Sequence, residues 1–127
     1  MATKIIFDKD QSTAFIKRTG YIKPGEMLEG FKKLESSPFF GDLKKSLADA
    51  TAADFADIPT KEFEVYGSYC GTRLKNLKIA IVVSSDLSFG LARIFGTITN
   101  ADNTQVFRTM EGALSWLDVK LPEDFHD

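Results

Sequence analysis

The sequence predicts one α/β domain built on a mixed sheet, and three observations carry that prediction. From residue 43 onward the apolar pattern switches repeatedly between short strand-like runs and the three-and-four spacing of amphipathic helices. Residues 77–83 are short, apolar but for Lys78, and rich in β-branched side chains, the pattern of a strand buried on both faces. The chain has 127 residues, enough for a single core.

Each element has a local reason. Ile5, Ile6 and Phe7 ahead of the polar run 8–11 predict a strand and a turn. Ala14, Ile16, Arg18 and Gly20 then alternate with Phe15, Lys17, Thr19 and Tyr21, a second strand that makes a hairpin with the first. Pro24 and Gly25 stop it. Met27, Leu28, Phe31 and Leu34 recur at helical spacing opposite Glu26, Glu29, Lys32 and Lys33, and Ser36, Ser37 and Pro38 end that first helix. Residues 43–50 have helical propensity but occupy the place of a strand, and are assigned to one. Thr51 and Asp54 have the spacing of an N-terminal cap, and after Pro59 the residues Phe63, Tyr66, Tyr69, Cys70 and Leu74 line a second helix, where Gly67 and Gly71 permit close packing.

The buried strand 77–83 follows and should run parallel to at least one neighbour. Ser84, Ser85 and Asp86 supply capping oxygens for a third helix, with Leu87, Gly90, Leu91, Ile94, Phe95 and Ile98 as its buried face. A turn at 100–103, a last strand at 105–108 and a fourth helix capped by Thr109 complete the pattern, with Met110, Ala113, Leu114 and Leu117 inward. Trp116 is expected to be largely buried where this helix closes the sheet. Alternating strands and helices require right-handed crossovers, and the hairpin supplies the antiparallel portion.

Composition narrows function by exclusion. Apolar residues make up 43% and charged residues 27%, and 16 basic against 18 acidic side chains leave a net charge of -2, so no basic surface announces nucleic acid or an anionic membrane. No apolar run approaches the ~20 residues of a membrane span, and the first ten residues lack the apolar core of a secretion signal. A cytoplasmic protein is the expectation. The single cysteine, Cys70, cannot form an internal disulfide, which fits a reducing compartment and is incompatible with a Cys-rich zinc site. It falls late in its helix, away from the N-terminal turn that would activate a thiolate. The only imidazole, His126, lies in a tail expected to be flexible from about residue 120, which leaves no Ser-His-Asp or Cys-His arrangement. Asp8, Asp10, Glu123, Asp124 and Asp127 lack calcium-loop spacing, and Gly90 and Gly96 lie inside a helix without phosphate-loop spacing, where close helix-sheet contact explains them. The expectation is no enzyme, no cofactor and no metal.

Two segments, KIAIVVSSDLSFGLAR at 78–93 and VFRTMEGALSWL at 106–117, resemble the buried strand, third helix and closing segment of bacterial SpoIIAA-like proteins, relatives of the STAS domain. The resemblance implies a right-handed β-α superhelix: a mixed sheet with an N-terminal hairpin and about four helices. It also implies two functions of different kinds. One is a non-enzymatic regulatory or protein-interaction module, as in anti-sigma-factor antagonists; the other is a carrier of a small apolar or lipid-like ligand, as in Sec14-type domains. Anti-sigma-factor antagonists carry an Asp-Ser-Ser-Gly-like phosphoacceptor motif after the third strand. Residues 48–55 read ADATAADF here, with Thr51 the only hydroxyl, so no phosphoacceptor is assigned.

Two surfaces are candidates. Ser84, Ser85 and Asp86 sit where open α/β sheets place ligand crevices, at the carboxyl end of a strand, although helix capping accounts for the same residues. Phe39 and Phe40, in a short connection, are candidates for an exposed contact with a protein partner or a second copy in a homodimer. A carrier should hold a preformed cavity of about 300 Å³ or more, an interaction module a filled core.

Overall fold

The computed structural model describes residues 3–100 and 103–126, with residues 97–100 and 126 by backbone alone. Strands β1 (Thr3–Asp8) and β2 (Thr13–Tyr21) pair antiparallel, and β3 (Lys45–Asp54), β4 (Lys78–Val82) and β5 (Thr104–Phe107) add to them in chain order, each parallel to its predecessor. Helices α1 (Glu26–Glu35), α2 (Thr60–Gly71) and α3 (Asp86–Asn100) cover one face of the sheet; α4 (Met110–Leu117) and a 3-10 turn at Glu123–His126 cover the other. The mixed sheet, opening hairpin and four helices agree with the expected class. The turn expected at 100–103 falls partly outside the described residues, as does the side chain of Ile98.

Strand alternation sorts the residues between two cores. Ile5, Ile16, Ala48, Ile81 and Val106 lie side by side across the sheet, facing α1–α3. The next row, with Ile6, Phe15, Leu47 and Ala80, faces α4. A period of two makes each assignment all-or-none, since a slip of one residue would exchange the faces.

Four sequence expectations are corrected. First, β3 runs through Asp54, so Thr51 and Asp54 cap nothing: Asp54 Oδ1 accepts the Ala56 N–H at 2.9 Å in a local turn, and α2 begins at Thr60 behind Pro59. What occupies 49–52 is a bulge. Lys17 pairs with Asp49 but Thr19 pairs with Ala52, so Ala50 and Thr51 together oppose Arg18. Asp49 holds the bend, its Oδ1 accepting both the Thr51 N–H (3.0 Å) and the Thr51 hydroxyl (2.7 Å).

Second, α3 is rotated from its expected phase. Leu87 is 61% exposed and Gly90 has open space around it, while Ser88, Leu91, Ala92 and Phe95 are buried. Gly96 does meet the sheet closely, for a Cβ there would lie 3.1 Å from Thr104 Cγ2.

Third, Trp116 is half-buried, resting against Phe107 with Lys78 Nζ 4.4 Å from its ring centre; Ala113 and Leu117 are the buried residues of α4. This helix is fastened at both ends. Thr109 Oγ1 accepts the Gly112 N–H at 3.1 Å, and Lys45 and Lys78, paired at the starts of β3 and β4, donate to the carbonyls of Leu117 (2.6 Å) and Trp116 (2.8 Å).

Fourth, the tail packs instead of hanging free. Phe125 is 1% exposed, edge-on to Phe15 at 5.9 Å, and Gln11 exchanges hydrogen bonds with the Lys120 backbone at 2.8 and 2.7 Å.

Among the described residues, no helix is long and apolar enough to cross a membrane.

Candidate ligand cavity

Small side chains on β3 create space where its neighbours are large. Ile16 of β2 and Ile81 of β4 flank Ala48, and Ser46 and Ala50 lie on the same face of the same strand, so the middle of the sheet is shallow beneath α1–α3. The helices do not fill it. A cavity of about 90 Å³ remains between the sheet and the inward side chains of the three helices, among them Met27, Phe31, Phe63, Leu91 and Phe95. Ser46 and Ser88, each 8% exposed, are small polar members of a mostly apolar wall.

One wall residue is a cation. Arg18 is 7% exposed, and alternation on β2, opposite the bulge, puts its side chain in the layer between sheet and helices. Nη1 donates to Thr3 Oγ1 at 3.3 Å and Nη2 to the Tyr66 hydroxyl at 3.5 Å, both long. Gly30 of α1 lies close by, where a Cβ would meet Nη1 at 3.8 Å in ordinary van der Waals contact. Among the described residues the ion pairs are Lys61–Glu64, Arg73–Glu35 and Arg108–Asp86, and none of the described carboxylates lies within pairing distance of Arg18.

Tyr66 stacks on Phe95 with ring centres 4.9 Å apart, which fixes its hydroxyl beside Arg18. Burial pushes that hydroxyl up to about 12 against the pull of the guanidinium, and burial likewise pushes the Cys70 thiol up to about 12. Both groups therefore keep their protons at neutral pH. Among the described residues, no three His, Cys, Asp or Glu side chains gather as a metal site.

The residues singled out in the sequence lie elsewhere. Ser85 Oγ accepts the Ser88 N–H at 3.0 Å and caps α3. Ser84 Oγ donates to the Thr51 carbonyl at 2.8 Å, tying the end of β4 to β3, and Asp86 Oδ1 accepts from Arg108 Nη2 at 2.6 Å across the sheet end. None of the three lines the cavity; Ser88, two residues beyond Asp86, does. Phe39 and Phe40 are half-buried rather than an exposed patch, Phe39 stacked on Phe7 at 4.4 Å and Phe40 edge-on to Phe31 at 6.0 Å. Arg18 was the residue sequence reasoning passed over. Its signal was visible, a charge in register with Ala14 and Ile16 on the inward face of β2.

No family model matches the chain, and no curated protein matches it. Among solved structures it is similar to an uncharacterised protein of the DUF3478 family with a SpoIIAA-like fold from Shewanella loihica PV-4, at 21% identity and a TM-score of 0.60 over 91% of this chain and 92% of that one. Identity at that level speaks to architecture. The hairpin, the run of parallel strands and the helices on both faces thus make this chain a protein of the SpoIIAA-like fold.

Proposed function

We propose that the domain is a non-enzymatic binding module for a small, mostly apolar molecule held between the sheet and α1–α3. The cavity carries this reading. Protein interiors are close-packed, with few voids larger than a water. Keeping an unfilled space of 90 Å³ costs the fold about 2 kcal/mol at ~24 cal/mol per Å³. Occupancy would recover that cost.

Size decides what kind of ligand. The space falls well below the ~300 Å³ expected of a carrier for drug-sized molecules. At roughly 10–15 Å³ per water-sized group it takes about six to nine non-hydrogen atoms. A whole lipid does not fit, so the carrier role implied by the resemblance narrows to a small aromatic or short-chain ligand. The protein-interaction role has less support on the surface. The rings of Phe39 and Phe40 pack against Phe7 and Phe31, and the exposed large apolar residues, Tyr21, Val65 and Leu87, come from three different elements. A non-enzymatic role agrees with Tyr66 and Cys70 being held protonated beside the cavity, where neither is an active nucleophile.

Benzyl alcohol, neutral and of the right size, tests the reading by methyl NMR. Shifts should be confined to methyl groups of the cavity wall, Ile16, Ile79, Ile81 and Leu91 among them, and Ala48→Leu, which fills the space from the sheet side, should abolish them while leaving the unfolding midpoint unchanged or raised. Absence of shifts, or shifts undiminished in Ala48→Leu, refutes the proposal.

A further inference from the structure

Resting on that binding role, the geometry points to a carboxylate as the polar end of the ligand, received by Arg18 with the Tyr66 hydroxyl as a second donor.

The argument begins with a charge in the wrong solvent. A guanidinium presents five N–H donors and cannot shed its charge to escape burial, so it is placed inside proteins almost always with an anion. Arg18 is 7% exposed and has two long contacts to neutral hydroxyls, which satisfy a minority of its donors and none of its charge. The buried carboxylate among the described residues, Asp49, faces the opposite side of the sheet and is engaged by Thr51. Among the described residues, then, a cation stands at the wall of a mostly apolar cavity with no carboxylate in pairing distance.

Three further features describe the anion that fits. Among the described residues Arg18 is the single charged member of the wall, which suits a monoanion and disfavours a phosphate dianion. The planar fork of the guanidinium matches the two oxygens of a carboxylate. The Tyr66 oxygen accepts from Arg18, and its own proton stays bound, turned toward the Cys70 sulfur, a weak acceptor that a carboxylate oxygen would replace. The remaining wall is hydrocarbon and aromatic: Ile16, Phe31, Ile81 and Phe95 enclose the region into which the rest of the ligand would extend. The ligand class is an aromatic or short branched-chain carboxylate of about six to nine non-hydrogen atoms. The bulge has a place in this scheme, for it interrupts the regular pairing of β2 with β3 directly opposite Arg18, the position where a charged head must be admitted.

Benzoate and benzamide are nearly isosteric and differ in charge, so calorimetric titration of the full chain with each isolates the contribution of the carboxylate. Benzoate should bind at least about tenfold tighter than benzamide, as expected of a charge-assisted bidentate contact. In Arg18→Met the benzoate affinity should fall to the benzamide level, while benzamide changes by less than about threefold. Tyr66→Phe, which removes one oxygen and leaves the ring on Phe95, should weaken benzoate selectively and keeps the test open if Arg18→Met does not fold. Equal binding of both probes by the unaltered protein overturns the carboxylate assignment and leaves the apolar cavity standing. Tighter binding of phenyl phosphate than of benzoate overturns it in favour of a dianion. Failure of benzyl alcohol, benzamide and benzoate alike removes the binding role itself, and this inference with it.

Discussion

Tyr66 and Cys70 stand one helical turn apart on α2, and burial acts on both in the same sense. Cys70 is raised from 9.0 to about 12 and Tyr66 from 10.0 to about 12, chiefly because the charged form of each would lose its water. The unfolded chain thus releases these protons at lower pH than the folded one, and stability falls as pH rises through the interval. It should be intact below pH 9 and decline progressively toward pH 12, with Cys70→Ala flattening the first part of the decline. Urea midpoints measured between pH 7 and 11 check this; a midpoint constant across that range contradicts the burial of both groups. Single residues were legible in uneven measure. Alternation put Arg18 on the inward face of β2, but what a buried charge means depends on which carboxylates come near it, and that is settled by chain segments far away in sequence.

At the scale of elements, tertiary context decided the cases where local propensity and position conflicted. Residues 45–54 have the composition of a helix, yet β2 and β4 offer backbone partners on both sides, and the segment becomes the middle strand. The same local reasoning failed at Thr51 and Asp54, because side chains suited to capping are equally suited to holding a bulge or an Asx turn. On α3 the apolar spacing fitted two phases. Leu87, Leu91 and Phe95 satisfy one, Ser88, Leu91, Ala92 and Phe95 the other, and the second holds because an inward Ser faces a cavity instead of packed hydrocarbon. The starts of α3 and α4 were easier to read, since a cap needs a particular oxygen at a particular place. Ser85→Ala should therefore cost about 0.5–2 kcal/mol in denaturant unfolding, and Ser84→Ala and Asp86→Ala less, their bonds lying outside the helix's free N–H groups. An Asp86 variant more damaging than the Ser85 variant would contradict this assignment of the cap.

Across the whole molecule, the second core depends on chain ends that sequence reading discounted. A polar-looking tail with one aromatic residue gives no periodicity, so the burial of Phe125 had no pattern to announce it. Its ring closes the face formed by Phe15, Leu47 and Val82, whereas Trp116, the more conspicuous residue, sits at the rim with Phe107 and Lys78. Phe125→Ala should accordingly destabilise by about 3–5 kcal/mol and Trp116→Ala by less. The reverse order in equilibrium unfolding would show that α4, and not the tail, seals this face. The arrangement of layers was readable because it follows from alternation alone. The cavity was not, because an empty volume is a property of what three helices and a sheet fail to fill together.

The fastening of the tail has a topological consequence. Lys4 Nζ in the first strand donates to the Asp124 carbonyl in the last turn, and Gln11 holds Lys120, so the backbone sets out and returns at the same corner. The fold is close to a closed loop with a short gap. Its strand order is fixed by which neighbours touch and owes nothing to where the chain is opened, so a circularly permuted chain, bridged across that gap and cut at the exposed Lys75–Asn76 connection, retains every pairing of the sheet.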